Sequence, residues 1–301
     1  MILPSKKLAS VLFCRILLVA MILPLQFRPL HAEDGLTLRF LGTGAADWAK
    51  PAEDGSFRRT SSVLLDSTVL IDFNACNADL IPEGCRPRVA FYTHSHADHY
   101  NAVAALKQGL QKVYVSESWA ERAVGDFAKA SEATGLPAPE IIALAVGEKV
   151  CEHGLTFTAL PANHATAHLD EQTLIYLVEK EDVRLLYATD TGGIMAVAAR
   201  LAGIDAHAPG RPITALVMEA TMGADYDEDF RIYTHSSVGT VLRTAHVLLK
   251  TGRLVLPEGG SVYLTHLART LHESQAELDR TLPSPLKAAY DGLELILLPH
   301  K

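Results

Sequence analysis

Cysteine is scarce in this chain, 4 in 301 residues, and no pair of them has zinc-ribbon spacing, which argues against a structural zinc held by cysteines. Acidic residues are missing from the start: no Asp or Glu occurs before Glu33. Over the same stretch Lys6 and Lys7 precede an apolar run, 8–25, and Ala32 supplies a small residue at a cleavage position. That pattern predicts a secretory signal peptide over residues 1–32 and an exported, periplasmic or secreted protein. An uncleaved anchor is the alternative, disfavoured because Cys14 and Arg15 interrupt the apolar run. Linkers rich in Pro, Gly or Ser are also missing, so residues 33–301 read as one domain.

Basic charge is short as well. The chain has 27 Lys and Arg against 35 Asp and Glu. Losing the leader removes Lys6, Lys7, Arg15 and Arg28, leaving 23 basic residues against 35 acidic ones, a net charge of −12. An acidic surface disfavours nucleic acid as a partner, because phosphate backbones are held by basic surface. A small molecule is the expected substrate, stable membrane insertion is not expected once the leader is gone, and a homodimer is left open. Cys76, Cys85 and Cys151 remain in the mature chain; Cys76 and Cys85 pair as a disulfide in one reading, and all three are buried thiols in the other.

What is present is a succession of short β-like runs, 36–41, 62–65, 69–73 and 88–92, followed by alternating helices and strands. Helices are expected at 102–110, 117–134, 193–201, 237–250 and 267–282. Strands are expected at 113–115, 155–160, 173–179, 183–188, 213–218 and 262–264. Residues 287–298 read as a hairpin about Asp291-Gly292. Such an order suggests two mixed sheets packed together with helices outside.

One run carries chemistry. The strand 88–92 leads into His94-Ser95-His96-Ala97-Asp98-His99. In extended chain His94 and His96 project to one side and reach one metal ion, while Asp98 and His99 follow as the chain turns. Imidazole and carboxylate suit zinc, manganese and iron alike, with zinc the first expectation. Three further candidates each end an apolar strand: His164, Asp190 in Thr189-Asp190-Thr191-Gly192-Gly193, and His266.

The order HxHxDH, a distal His, an Asp in a TDTGG turn and a late Thr265-His266 resembles the metallo-β-lactamase superfamily. The resemblance implies an α/β (α+β) four-layer αββα sandwich and two divalent metal ions. His94, His96 and His164 would ligate one, Asp98, His99 and His266 the other, and Asp190 would bridge both. Within the superfamily the chain is most similar to the phosphodiesterase branch, which includes tRNase Z and the cyclic ribosyl-phosphate phosphodiesterase. That likeness rests on Leu41-Gly42-Thr43-Gly44, Arg58-Arg59-Thr60-Ser61-Ser62, Asn163-His164 and Ala289-Tyr290-Asp291-Gly292-Leu293-Glu294. It also implies a role near the leaving group for His235, in Thr234-His235-Ser236-Ser237. The cysteine cluster that holds a structural zinc in the cyclic phosphodiesterase type is missing from residues 45–57, and no basic, glycine-rich arm for tRNA is evident. The expectation is hydrolysis of a small or cyclic phosphodiester, with His235, Asp98 and Asp190 catalytic. A lactone or thioester hydrolase on the same metals is the first alternative, and a non-catalytic metal-binding protein the second.

Arg58 and Arg59 read as structural anchors rather than a phosphate grip. The acidic patch Asp225, Asp227, Glu228 and Asp229 reads as a solvated loop. His168 is taken as a loop residue, and His246 as part of a helix face.

Overall fold

Alternating burial along the central strands shows how the layers form. In Val89–Phe91 (β4), Val89 and Phe91 face one core while Ala90 faces another. In Val183–Ala188 (β10), Val183, Leu185 and Tyr187 join the first of these, and Leu186 and Ala188 a third. A strand buried on both faces needs cover on both, and here the cover is a second sheet on one side and helices on the other. The computed structural model describes residues 35–207 and 209–299, so the leader expected over 1–32 lies outside the described residues.

The first sheet also contains Leu36–Gly42 (β1), Ser62–Leu65 (β2), Val69–Ile71 (β3), Lys112–Ser116 (β5), Glu140–Leu144 (β6) and, at one edge, Glu294–Leu297 (β14). Its order is β14-β1-β2-β3-β4-β5-β6. The second joins β10 to Lys149–Glu152 (β7), Leu155–Pro161 (β8), Leu174–Lys180 (β9), Ala215–Glu219 (β11), Val262–Thr265 (β12) and Leu286–Ala288 (β13). There the order is β13-β12-β11-β10-β9-β8-β7. Each seven-stranded sheet is antiparallel on one side and parallel on the other.

Between the sheets Phe91 stacks on Tyr114 of β5 and on Phe157 of β8, with centroids 4.3 and 3.9 Å apart. Ala102–Gln108 (α1) and Ala120–Thr134 (α2) cover the first sheet. Ala196–Leu201 (α3), Val238–Lys250 (α4) and Gln275–Thr281 (α5) cover the second. This is the expected four-layer αββα sandwich. Among the described residues no helix is long and apolar enough to cross a membrane.

Several expectations need correction. The helix expected over 267–282 forms only from Gln275, after its cap Ser274. Upstream, the backbone is committed elsewhere: Leu267 N donates to Thr43 O, and Arg269 N and Thr270 N donate to the Asp47 carboxylate. Nor is 287–298 a hairpin. β13 pairs with β12 and β14 with β1, so the Asp291-Gly292 turn carries the chain from one sheet to the other. Asp291 is fixed there by Thr43 Oγ1 and Arg59 N. The edge strands β6 and β7, both half exposed, went unpredicted.

All three described cysteines are free thiols. Cys76 and Cys151 are exposed and Cys85 half-buried, against both the disulfide and the buried-thiol reading. Arg58 does anchor structure: its buried guanidinium donates to Thr43 Oγ1, Ala289 O and Gln275 Oε1. In the acidic patch Asp227 is structural, accepting from Ser237 Oγ at the start of α4 and pairing with Arg243.

Candidate metal centre

Six strands deliver polar side chains to one edge of the sandwich. β3 ends in Asp72, β4 in the His94–His99 run, β8 in the turn to His164, β10 in that to Asp190, β11 in Glu219 and β12 in His266. Three of these residues, Asp72, Asp190 and His266, have φ of 56, 45 and 54°. Non-glycine residues hold the left-handed region at a cost, and such strain collects at functional sites.

Four of the five imidazoles are fixed through Nδ1, which leaves Nε2 for the cluster. His94 Nδ1 lies 2.9 Å from Thr93 Oγ1, His99 Nδ1 2.7 Å from Asp72 Oδ2, and His266 Nδ1 2.8 Å from Thr221 Oγ1. His164 Nδ1 donates to Thr234 O at 3.2 Å. His96 is turned the other way and presents Nδ1, 2.9 Å from His94 Nε2 and 3.3 Å from His164 Nε2. Beside this trio Asp98 Oδ2 is 3.3 Å from His99 Nε2 and 3.5 Å from His266 Nε2. Asp190 lies between the groups: Oδ2 is 2.6 Å from His99 Nε2 and 3.2 Å from His266 Nε2, and Oδ1 is 3.9 Å from His164 Nε2.

All seven sequence-predicted ligands are thus brought together. His94, His96 and His164 form one group with ligand atoms close enough for an ion, and Asp98, His99 and His266 form another. The donors fit divalent cations on an independent observation. His99 Nε2, His266 Nε2 and Asp190 Oδ2 are buried, face one another and have no hydrogen-bond partner outside the cluster. Folded proteins pair most of their buried polar atoms, and a cation between these would satisfy all three.

Electrostatics point the same way. Burial lowers the pKa of His94 and His164, which favours the neutral imidazole that can ligate. Burial acts on His99 too, but the carboxylates of Asp190, Asp98 and Asp72 overcome it and hold its pKa well above the ordinary value. Three carboxylates around one imidazole attract positive charge strongly.

His235 reaches the same centre, its Nδ1 3.4 Å from Asp190 Oδ1 and 3.2 Å from Glu219 Oε1. Burial would lower its pKa; Glu219 and Asp190 instead raise it to about 9. A cavity of about 290 Å³ opens onto His96, Asp98, His164, Asp190, His235 and His266. His168 and His246 stay outside, exposed in a loop and on α4.

A beta-lactamase superfamily domain matches residues 79–257, more than half of the chain. The chain belongs to the beta-lactamase superfamily. Six of the seven clustered residues and His235 lie inside the match, and His266 follows it. No protein of curated function matches the sequence. Among solved structures, a diphosphatase from the PhnP family is 19% identical with a TM-score of 0.60, covering 87% of this chain and 99% of its own. The metallo-beta-lactamase fold protein YhfI from Bacillus subtilis is 17% identical with a TM-score of 0.60, over 87% and 99%. Human tRNase Z, short form, is 16% identical with a TM-score of 0.60, also over 87% and 99%. These likenesses establish the fold, and that fold together with the His and Asp clusters implies divalent metal ions.

Within this superfamily fold, sequence reasoning missed the acids behind the cluster. Asp72 is fully buried and accepts from Thr93 N, Thr93 Oγ1 and His99. Glu219 accepts from Thr191 N at 2.5 Å, Thr221 N at 3.1 Å and Thr221 Oγ1. Glu171 accepts from Ser95 N at 2.8 Å, Ser95 Oγ at 2.7 Å and Arg122, which ties the HxH turn to the loop after His164. Asp72 and Glu219 each end a buried strand, the same signal that singled out Asp190. Glu171 lies in a polar loop and carried no such signal.

Proposed function

We propose that the chain is an exported hydrolase of small or cyclic phosphodiesters that uses two divalent metal ions, zinc first among the candidates. The observation that carries the reading is the position of Asp190, buried between two ligand groups with one carboxylate oxygen toward each. His94, His96 and His164 would hold one ion, Asp98, His99 and His266 the other, and Asp190 would bridge them. Bound there, the ions would supply a nucleophile at neutral pH and offset charge on the phosphoryl oxygens.

The protein's own part is to fix those ligands and move a proton. Asp72 orients His99, Thr93 orients His94 and Thr221 orients His266, which turns each Nε2 toward the cluster. Glu219 engages His235 Nδ1, which leaves Nε2 to donate. The Glu219 carboxylate at Nδ1 favours the protonated imidazole, so His235 could pass a proton to the departing alkoxide as general acid.

Assays of the metal-loaded protein on bis(p-nitrophenyl) phosphate and on a lactone series test the choice of substrate. Phosphodiester cleavage is expected to dominate; strong lactone turnover without it would contradict the proposal. Export is tested separately by sequencing the N-terminus of protein recovered from outside the cytoplasm, which should begin near Glu33.

A further inference from the structure

Among the described residues the cavity over the cluster has one guanidinium in its wall, that of Arg231; the carboxylates there are Asp47, Asp98 and Asp190. Arg231 lies in a 3-10 turn, Phe230–Tyr233, that runs directly into His235. Asp229 caps that turn and holds the arginine twice. Its Oδ1 accepts from Arg231 N at 2.9 Å, and its Oδ2 from Arg231 Nη1 at 2.7 Å. The Phe230 ring lies 4.9 Å from the guanidinium carbon. His235 N donates to Arg231 O at 2.8 Å, which ties the two backbones together.

A guanidinium carries five donors in a planar fork suited to phosphate or carboxylate oxygens. Asp229 occupies one edge of this fork, and among the described residues no other carboxylate pairs with it. The side chain is 39% exposed at the cavity wall, open to a ligand yet held in place. Asp47 on the same wall is already committed to Arg269 N, Thr270 N and Thr270 Oγ1. Within an acidic protein a pinned, half-paired arginine beside the reaction centre favours an anionic substrate over a neutral one.

We infer that Arg231 is a specificity-determining residue that binds an anionic oxygen of the substrate. This rests on the phosphodiester reading and deepens it: the metal ions alone would also accept neutral esters, and Arg231 is what favours charged ones. The anionic oxygen belongs either to the scissile phosphate or to a second charged group on the same molecule.

The test uses the metal-loaded full chain as wild type, Arg231→Ala and Arg231→Lys. KM and kcat are measured on bis(p-nitrophenyl) phosphate and on the neutral ester p-nitrophenyl acetate, and inorganic phosphate binding is measured by calorimetry. Losing a charge-assisted hydrogen bond should weaken phosphate binding and raise the phosphodiester KM by about 10- to 100-fold. Kcat on the phosphodiester should change little, kinetics on the neutral ester should be unaltered, and Arg231→Lys should recover part of the loss. Unchanged phosphate affinity in Arg231→Ala, together with an unchanged KM on phosphodiesters bearing a remote carboxylate, would overturn the inference while leaving phosphodiester cleavage standing. Arg231-dependent phosphate binding without any phosphodiester cleavage would support the inference and sink the substrate reading instead. Full KM effects on phosphodiesters bearing a remote carboxylate, with none on phosphate itself, would place the contact at the second charged group.

Discussion

His235 stands outside both sequence-assigned ligand trios, with its Nδ1 3.2 Å from Glu219 Oε1, 3.2 Å from Thr221 Oγ1 and 3.4 Å from Asp190 Oδ1. A general acid matters most when the leaving group is a poor one. Replacing His235 with Ala should therefore lower kcat on an alkyl phosphodiester by roughly 100-fold or more, and far less where p-nitrophenolate leaves unaided. Equal losses on both would reduce His235 to a structural residue. Glu171 makes a different prediction. It joins the turn bearing His94 and His96 to the loop bearing His164, so Glu171→Gln should weaken one ion by about 10- to 100-fold, read by chelator competition. At this scale the sequence was most informative about ligands. Four potential ligands in six residues at a strand end are hard to explain otherwise, and three strand-end residues completed the set. The acids behind them were harder to find, since a lone Asp or Glu at a strand end commonly caps or solvates.

At the scale of elements, the segment after β12 shows where pattern reading failed. Residues 267–274 have apolar positions compatible with a helix, yet their backbone donors go to Thr43 and Asp47 across the molecule. Long-range partners of this kind leave no local trace. The same holds for the chain's last turn, where Asp291-Gly292 has hairpin chemistry but its flanking strands are drawn to different sheets. His272, in the misread segment, gives a measurable consequence. Its Nε2 donates to Ala220 O at 2.6 Å and its Nδ1 is buried. Burial lowers its pKa to about 4, with Arg58 adding to the effect. The folded state then holds fewer protons than the unfolded one between pH 4 and the ordinary value of 6.5. Stability from this residue is complete above pH 6.5 and is lost as pH falls through that window, by a total of about 3 kcal/mol. In the metal-loaded protein, His272→Gln should flatten the pH dependence of urea unfolding there; an unchanged slope would contradict the assignment.

Across the whole molecule, the sandwich explains why one edge carries the chemistry. Strands of both sheets end at that edge, so residues far apart in sequence converge at or just after the ends of β3, β4, β8, β10, β11 and β12. The layer order was legible because central strands alternate between two apolar cores, and the edge strand β7 was not, because Lys149–Glu152 buries too little to leave a pattern. Net charge acts at this scale as well. An acidic chain with three carboxylates in its cavity wall suits a phosphate ester only if cations are bound, which makes metal content the most direct test. The measurement is elemental analysis of protein purified without added metal and then titrated with zinc, for wild type and Asp190→Ala. The account predicts two ions per wild-type chain and a loss of paired binding in the variant. One ion or none in the wild type, or an unaltered pair in Asp190→Ala, would contradict it.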